Sequence, residues 1–136
     1  MKIVIDTNCL VQILPKMSDY RCLWESFLRR EFEICYTTEI IQEYEEILSR
    51  FYTQKITEFT IETLLKVSNT IQVIPHYKWH LISADPDDNK FVDCALNAGA
   101  DYIVTNDKHF NILKEIDFPK VNVIDIETFK EMISIH

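Results

Sequence analysis

An apolar run that ends in a carboxylate opens this chain, Ile3-Val4-Ile5-Asp6-Thr7-Asn8. A strand with an acid at its tip fixes that acid on rigid backbone at a sheet edge, and Thr7 and Asn8 are placed to orient it by hydrogen bonding. Taken alone, Asp6 equally suits a turn or a helix cap. Tyr102-Ile103-Val104-Thr105-Asn106-Asp107 repeats the arrangement, with Asp107 after the apolar residues. Two acids at the tips of neighbouring strands repel unless a proton or a cation lies between them. Convergence of Asp6 and Asp107 would therefore argue for a metal.

A third acid has several candidates. Asp87 or Asp88, after Pro86, suits the N-cap of a helix running to about Ala98. In that helix Asn89 and Asp93 share a face, being four residues apart. Asp93 lies between Phe91, Val92 and Ala95, Leu96, where a buried carboxylate wants a partner. Glu43, among Glu39, Glu45 and Glu46, reads locally as part of a solvated helix face. Carboxylate oxygens suit Mg²⁺ or Mn²⁺. Such an ion activates water and offsets charge on a phosphodiester, which points to phosphodiester hydrolysis.

Other chemistries fit less well. A phosphate-cradling loop needs several glycines, and the chain has one, Gly99. His76, His80, His109 and His136 show no metal or triad spacing; His109 suits a surface or supporting role. Cys9, Cys22, Cys35 and Cys94 include no C-x-x-C pair and read as buried or partly buried free thiols.

The elements that must position these acids follow from periodicity. Strands are expected at 1–5, 32–36, 70–74, 102–104 and 121–124. Leu10 to Leu14 suits a short helix ended by Pro15, and Ser18 or Asp19 suits the cap of a second helix bearing Leu23, Trp24, Phe27 and Leu28. From Thr38, Ile40, Ile41, Tyr44, Ile47 and Leu48 recur at helical spacing, and a further helical region spans Ile56 to Val67. An irregular stretch reaches Asn89. Gly99 suits the left-handed end of the helix before it, and a last helix carries Phe129, Met132 and Ile133. Strands alternating with helices imply an α/β fold with a mainly parallel sheet, whose sites form beyond the carboxyl ends of the strands.

At 136 residues and 47% hydrophobic content the chain is expected to form one domain, 1–136. Its start lacks the apolar run of a secretion signal, and no stretch reaches the roughly 18 apolar residues that cross a bilayer, so a cytoplasmic protein is expected. Twenty-two acids against fourteen bases leave a net charge of −8, an objection to a polyanion substrate unless bound cations reverse the local field. Lys16, Arg21, Arg29, Arg30, Arg50 and Lys55 offer a basic rim, or simply solvated helix faces.

Together, the opening run to Asn8, Glu43 in the helix after the second strand, Asp93 in a late helix and Ala98-Gly99-Ala100-Asp101-Tyr102-Ile103-Val104-Thr105-Asn106-Asp107 resemble the PIN-domain family over essentially the whole chain. The resemblance implies a three-layer α/β/α domain with about four to five strands, an acidic pocket for Mg²⁺ or Mn²⁺, and endonuclease activity on single-stranded RNA. Its short form looks most similar to the ribonuclease toxins of bacterial and archaeal toxin–antitoxin pairs, which implies an antitoxin partner and a homodimer. Carried over, Asp6, Glu43 and Asp107 are catalytic metal ligands. The third acid of these toxins falls near Asn89, where this chain departs; Asp93, one turn on, is expected to supply it. Thr7, Asn8, Asp88, Asn89 and Thr105 would support the ligands. Two rivals stand beside this reading: a PIN-like binding or regulatory module that keeps the acidic pocket, and a metal-dependent phosphatase.

Overall fold

The computed structural model describes residues 1–135; His136, one of the histidines considered above, lies outside the described residues. The chain forms β1 (Lys2–Ile5), α1 (Thr7–Ile13), α2 (Arg21–Leu28), β2 (Glu33–Tyr36), α3 (Thr38–Phe51), α4 (Gln54–Lys66) and β3 (Thr70–Gln72). It continues through α5 (Asn89–Ala98), β4 (Tyr102–Val104), β5 (Val123–Ile124) and α6 (Ile126–Ile135). The five strands form one parallel sheet in the order β3-β2-β1-β4-β5, flanked by helices.

This order decides where a site can form. The chain leaves β1 for β2 and β3 on one side, then returns to β4 and β5 on the other. The order reverses between β1 and β4, and the crevice beyond their carboxyl ends is the switch point where ligands bind in open parallel sheets. Ile5 pairs with Val104 in register, so Asp6 and Thr105 leave the sheet side by side.

Local chemistry explains the central elements. Ile3, Val4 and Ile5 are at most 1% exposed, as a strand covered on both faces requires. Thr37 caps α3 by accepting a hydrogen bond from the Ile40 amide at 3.2 Å. That helix buries Ile40, Tyr44 and Leu48, four residues apart, and the buried Tyr44 hydroxyl donates to the Ile5 carbonyl. α3 is thereby tied to the last residue before Asp6. Gly99 takes φ +65° at the end of α5, a left-handed conformation that costs glycine little.

Several expectations need correction. Ser18 does not cap α2; its hydroxyl donates to the Gln12 carbonyl and accepts from the Tyr20 amide, closing the bend after α1. Residues Lys108–Glu115, assigned no element above, form a 3-10 helix that buries Phe110 and Leu113, three residues apart and so eclipsed at that period. Of the four thiols, Cys9, Cys35 and Cys94 are buried but Cys22 is exposed. Among the described residues no helix is long and apolar enough to cross a membrane.

Tyr44→Phe should leave the Ile5 carbonyl buried without its side-chain donor and destabilise the fold by about 1–3 kcal/mol. Urea unfolding measures it, and an unchanged midpoint would contradict the role of this bond in holding β1 to α3.

Candidate active site

Asp6 is 7% exposed and stands at the N-cap of α1, yet its side chain makes no cap hydrogen bond. Its Oδ2 instead accepts a hydrogen bond from the Thr105 hydroxyl at 2.7 Å. The Thr105 oxygen also accepts from the Asp107 amide at 3.0 Å, so one hydroxyl ties the Asp6 carboxylate to the Asp107 backbone, while the Asp107 carboxylate accepts from the His109 amide at 2.9 Å as the cap of the 3-10 helix. Burial raises the Asp6 carboxyl above its ordinary range. The Thr105 bond and the Thr7 amide oppose that rise, while the charges of Asp107 and Glu43 add to it.

Asp88 is the further acid within electrostatic reach of both Asp6 and Asp107. It occupies the N-cap position of α5 in helical conformation but makes no cap bond, contrary to the capping role its position suggested. Its Oδ2 is buried without a hydrogen-bond partner. Burial, then the charges of Asp107, Asp85 and Asp6, push its carboxyl up to about 6, with His109 pulling the other way. The His109 Nδ1 stands 3.5 Å from both Asp88 Oδ2 and Asp107 Oδ1. Asp85, Asp88 and His109 each bring one ligand atom within 4.8 Å of the others'.

The structure does not bring Asp93 to this group. Asn89, Asp93 and Asn97 do share one face of α5, but that face holds the irregular segment before the helix. Asn89 bonds the Ile82 amide at 2.9 Å and its carbonyl at 2.8 Å. Asp93 Oδ1 accepts from the Trp79 amide at 3.1 Å, and Asn97 Oδ1 from the His76 amide at 3.2 Å. The Asp93 carboxyl is raised by burial and held down by the Trp79 bond and the charges of His80 and Lys78. Three polar side chains at helical spacing thus satisfy backbone groups that no sheet or helix pairs. Asn89, likewise, has its carbonyl oxygen engaged by Ile82 rather than open toward Asp6.

Glu43 is within electrostatic reach of Asp6, but both its oxygens are engaged. Oε2 accepts from the Thr7 hydroxyl, and Oε1 lies 2.7 Å from the Lys90 ammonium. Asn8 is exposed and lines the pocket above Asp6 and Asp107, with Val11, Gln12, Phe51 and Asn106. An adjoining pocket beside Asp107 carries Lys108, Asn111 and Lys114. Of the first-half basic residues, Arg21, Arg29 and Arg50 pair with Glu25, Glu31 and Glu46 close to them in sequence, as solvated helix faces do.

Asp85 and Lys90 were not foreseen as members of the site, and His109 had been expected on the surface or in a supporting role. For Asp85 and His109 a signal existed, in the acidic run that starts at Asp85 and in the closeness of His109 to Asp107. A divalent cation fits the donor set. The buried, unpartnered Asp88 Oδ2, under the repulsion of three other acids, is the atom that most needs one.

Comparison with family models matches residues 2–109 to one described as PIN domain. Among solved structures, a chain of VapBC2 from Rickettsia felis, bound to a DNA fragment from its promoter, superposes with a TM-score of 0.62. It is 18% identical and covers 92% of this chain and 98% of its own length. At that identity the likeness speaks for the fold alone. Comparison with curated protein sequences finds no match.

The raised Asp88 carboxyl sets a pH dependence for the metal-free protein. The native state holds this proton more tightly than the unfolded chain, so its contribution is full below the ordinary value of 3.8 and is lost as pH rises through about 6. In chelator, Asp88→Asn should therefore raise the unfolding temperature at pH 7.5 by a few degrees and by less at pH 4. A lower midpoint at pH 7.5 would contradict the strained-charge account.

Proposed function

Since the chain belongs to the PIN-domain family, a family of nucleases, we propose that it is an endoribonuclease that hydrolyses single-stranded RNA with Mg²⁺ or Mn²⁺ held by Asp6, Asp88 and Asp107. The observation that carries this reading is that Asp88, with a buried oxygen that has no hydrogen-bond partner, lies within electrostatic reach of the strand-tip acids Asp6 and Asp107 and brings an oxygen within 4.8 Å of ligand atoms of Asp85 and His109. Asp88 thus takes the place first expected of Asp93.

When bound, the ion supplies an activated water and positive charge for the phosphodiester transition state. The protein's own part is positioning. Thr105 holds the Asp6 carboxylate and the Asp107 backbone, the His109 amide holds the Asp107 carboxylate, and α5 starts at the residue after Asp88, so the ligands sit on rigid elements. Lys108 and Lys114, beside Asp107, offer phosphate contacts that the acidic pocket lacks, and Asn8, Gln12 and Phe51 line the cleft where the scissile nucleotide would lie. Phosphate contacts of this kind position a strand without reading its sequence. The net charge of −8 is then reconciled locally, by a cation in the cleft and lysines at its rim.

The same reading makes the protein the toxin of a toxin–antitoxin pair, acting in the cytoplasm and able to form a homodimer. Exposed Ile56 and Phe59 on α4 adjoin Leu14, Pro15, Trp24 and Tyr52 in an apolar groove with Lys16 and Arg21 at its edge. An antitoxin with an acidic, amphipathic segment would cover it.

The test is cleavage of labelled single-stranded RNA in Mn²⁺. Asp6→Asn and Asp88→Asn should each lower the rate by about a hundredfold or more, the scale of losing a group that stabilises the transition state, while Asp93→Asn should lower it by less than about tenfold. Wild-type rates for Asp6→Asn would overturn the site. A larger loss for Asp93→Asn than for Asp88→Asn would return the third ligand to Asp93.

A further inference from the structure

A buried ammonium sits inside the acidic site, where a net-negative pocket prepared for metal would be expected to hold none. The Lys90 side chain is 6% exposed. Its Nζ lies 2.7 Å from Glu43 Oε1, 2.8 Å from Asp87 Oδ2 and 3.1 Å from the Asp87 carbonyl. An ammonium has three donors, and all three are used. The same nitrogen stands 5.4 Å from the centre of the Phe91 ring, within the range of a cation–π contact. Burial works against the charge, but the bonds to Asp87 and Glu43 outweigh it, so the amine stays protonated well beyond neutral pH.

The consequence falls on Glu43. One of its oxygens is bonded to Lys90 and the other to the hydroxyl of Thr7, the residue next to Asp6. Lys90, Glu43, Thr7 and Asp6 therefore form a chain of contacts from α5 through α3 to the tip of β1. Asp88 differs, with a buried oxygen that has no hydrogen-bond partner and only the His109 imidazole near it, at 3.5 Å. A two-ion phosphodiesterase site shares its carboxylates between ions about 3.5–4 Å apart. A second ion at Glu43 would have to displace an ammonium whose side chain is 6% exposed and whose three donors are already used, and breaking such a pair leaves the freed charge uncompensated.

We propose that Lys90 is a positioning residue that occupies Glu43, holds it on Thr7, and limits the site to one divalent ion carried by Asp6, Asp88 and Asp107. This rests on the metal-dependent reading above. Glu43 then acts on the reaction through Thr7 and Asp6, and Lys90 supplies a fixed positive charge behind Glu43.

Mn²⁺ titration followed by the electron paramagnetic resonance of the free ion tests the proposal without reference to activity. Circular dichroism of each variant serves as the check on folding. The wild type should bind one Mn²⁺ per chain. Glu43→Gln should still bind one, with affinity lowered by about ten- to a hundredfold, the loss typical of an outer partner of a metal site. Lys90→Met, which frees the Glu43 carboxylate, should bind a second Mn²⁺ more weakly, and Lys90→Arg should restore the count to one.

Two ions on the wild type would overturn the proposal, as would a loss of Mn²⁺ binding well beyond about a hundredfold in Glu43→Gln, the mark of a direct ligand. So would a folded Lys90→Met that still binds a single ion, because that would make Lys90 a structural residue only. Should Lys90→Met fail to fold, Glu43→Gln decides. If the wild type binds no Mn²⁺, the metal-dependent function falls, and the proposal falls with it; if it binds two, only the proposal does.

Discussion

Ile5 and Val104 lie side by side in a parallel sheet, and the residues that follow them have to share one small volume. That register is the constraint on which the rest of the site depends. It brings the Asp6 carboxylate within reach of Thr105 and, through the same hydroxyl, of the Asp107 backbone. Among the described residues, the sheet order makes this the only strand pair where the connections diverge to opposite sides. The crevice and the acids therefore arise together from topology.

Placing like charges in one crevice costs stability, and the structure meets that cost unevenly. Asp6 is offset by a hydroxyl and a backbone amide. Glu43 is offset by a hydroxyl and an ammonium. Asp88 is left with an unpartnered buried oxygen and a carboxyl pushed up to about 6. Stability is typically conceded where function needs a strained group, and a carboxylate held ready and unneutralised is what a cation site requires. In the proposed metal site, the partners already supplied by the protein mark where an ion is not needed, and the missing one marks where it would bind.

Much of this was legible in the residues. The apolar runs ending at Asp6 and before Asp107 identified two strand tips, because consecutive β-branched residues leave few alternatives to a buried strand. The spacing of Ile40, Tyr44 and Leu48 gave α3 and the placement of Glu43, and Gly99 marked the end of α5. The periodicity of α5 was also right: Asn89 and Asp93 do share a face. What sequence spacing does not carry is which way that face points. It points at the irregular segment around 76–82, whose backbone groups need partners, and that demand is invisible until the segment's path is known. For the same reason Asp88 looked like a helix cap. It holds the cap position, but its side chain is not used there. Lys90 was hidden because a lysine near a helix start usually lies in solvent, and only the packing of α5 against α3 turns it inward.

The central claim is that the third carboxylate is Asp88 and that Asp93 serves the backbone of the preceding segment. A crystal structure with Mn²⁺, its ions located by anomalous scattering, tests that claim most directly. The account predicts one anomalous peak bounded by Asp6, Asp88 and Asp107, with Asp93 still bonded to the Trp79 amide and Lys90 still on Glu43. A peak coordinated by Asp93, or by Glu43 with Lys90 displaced, would contradict it.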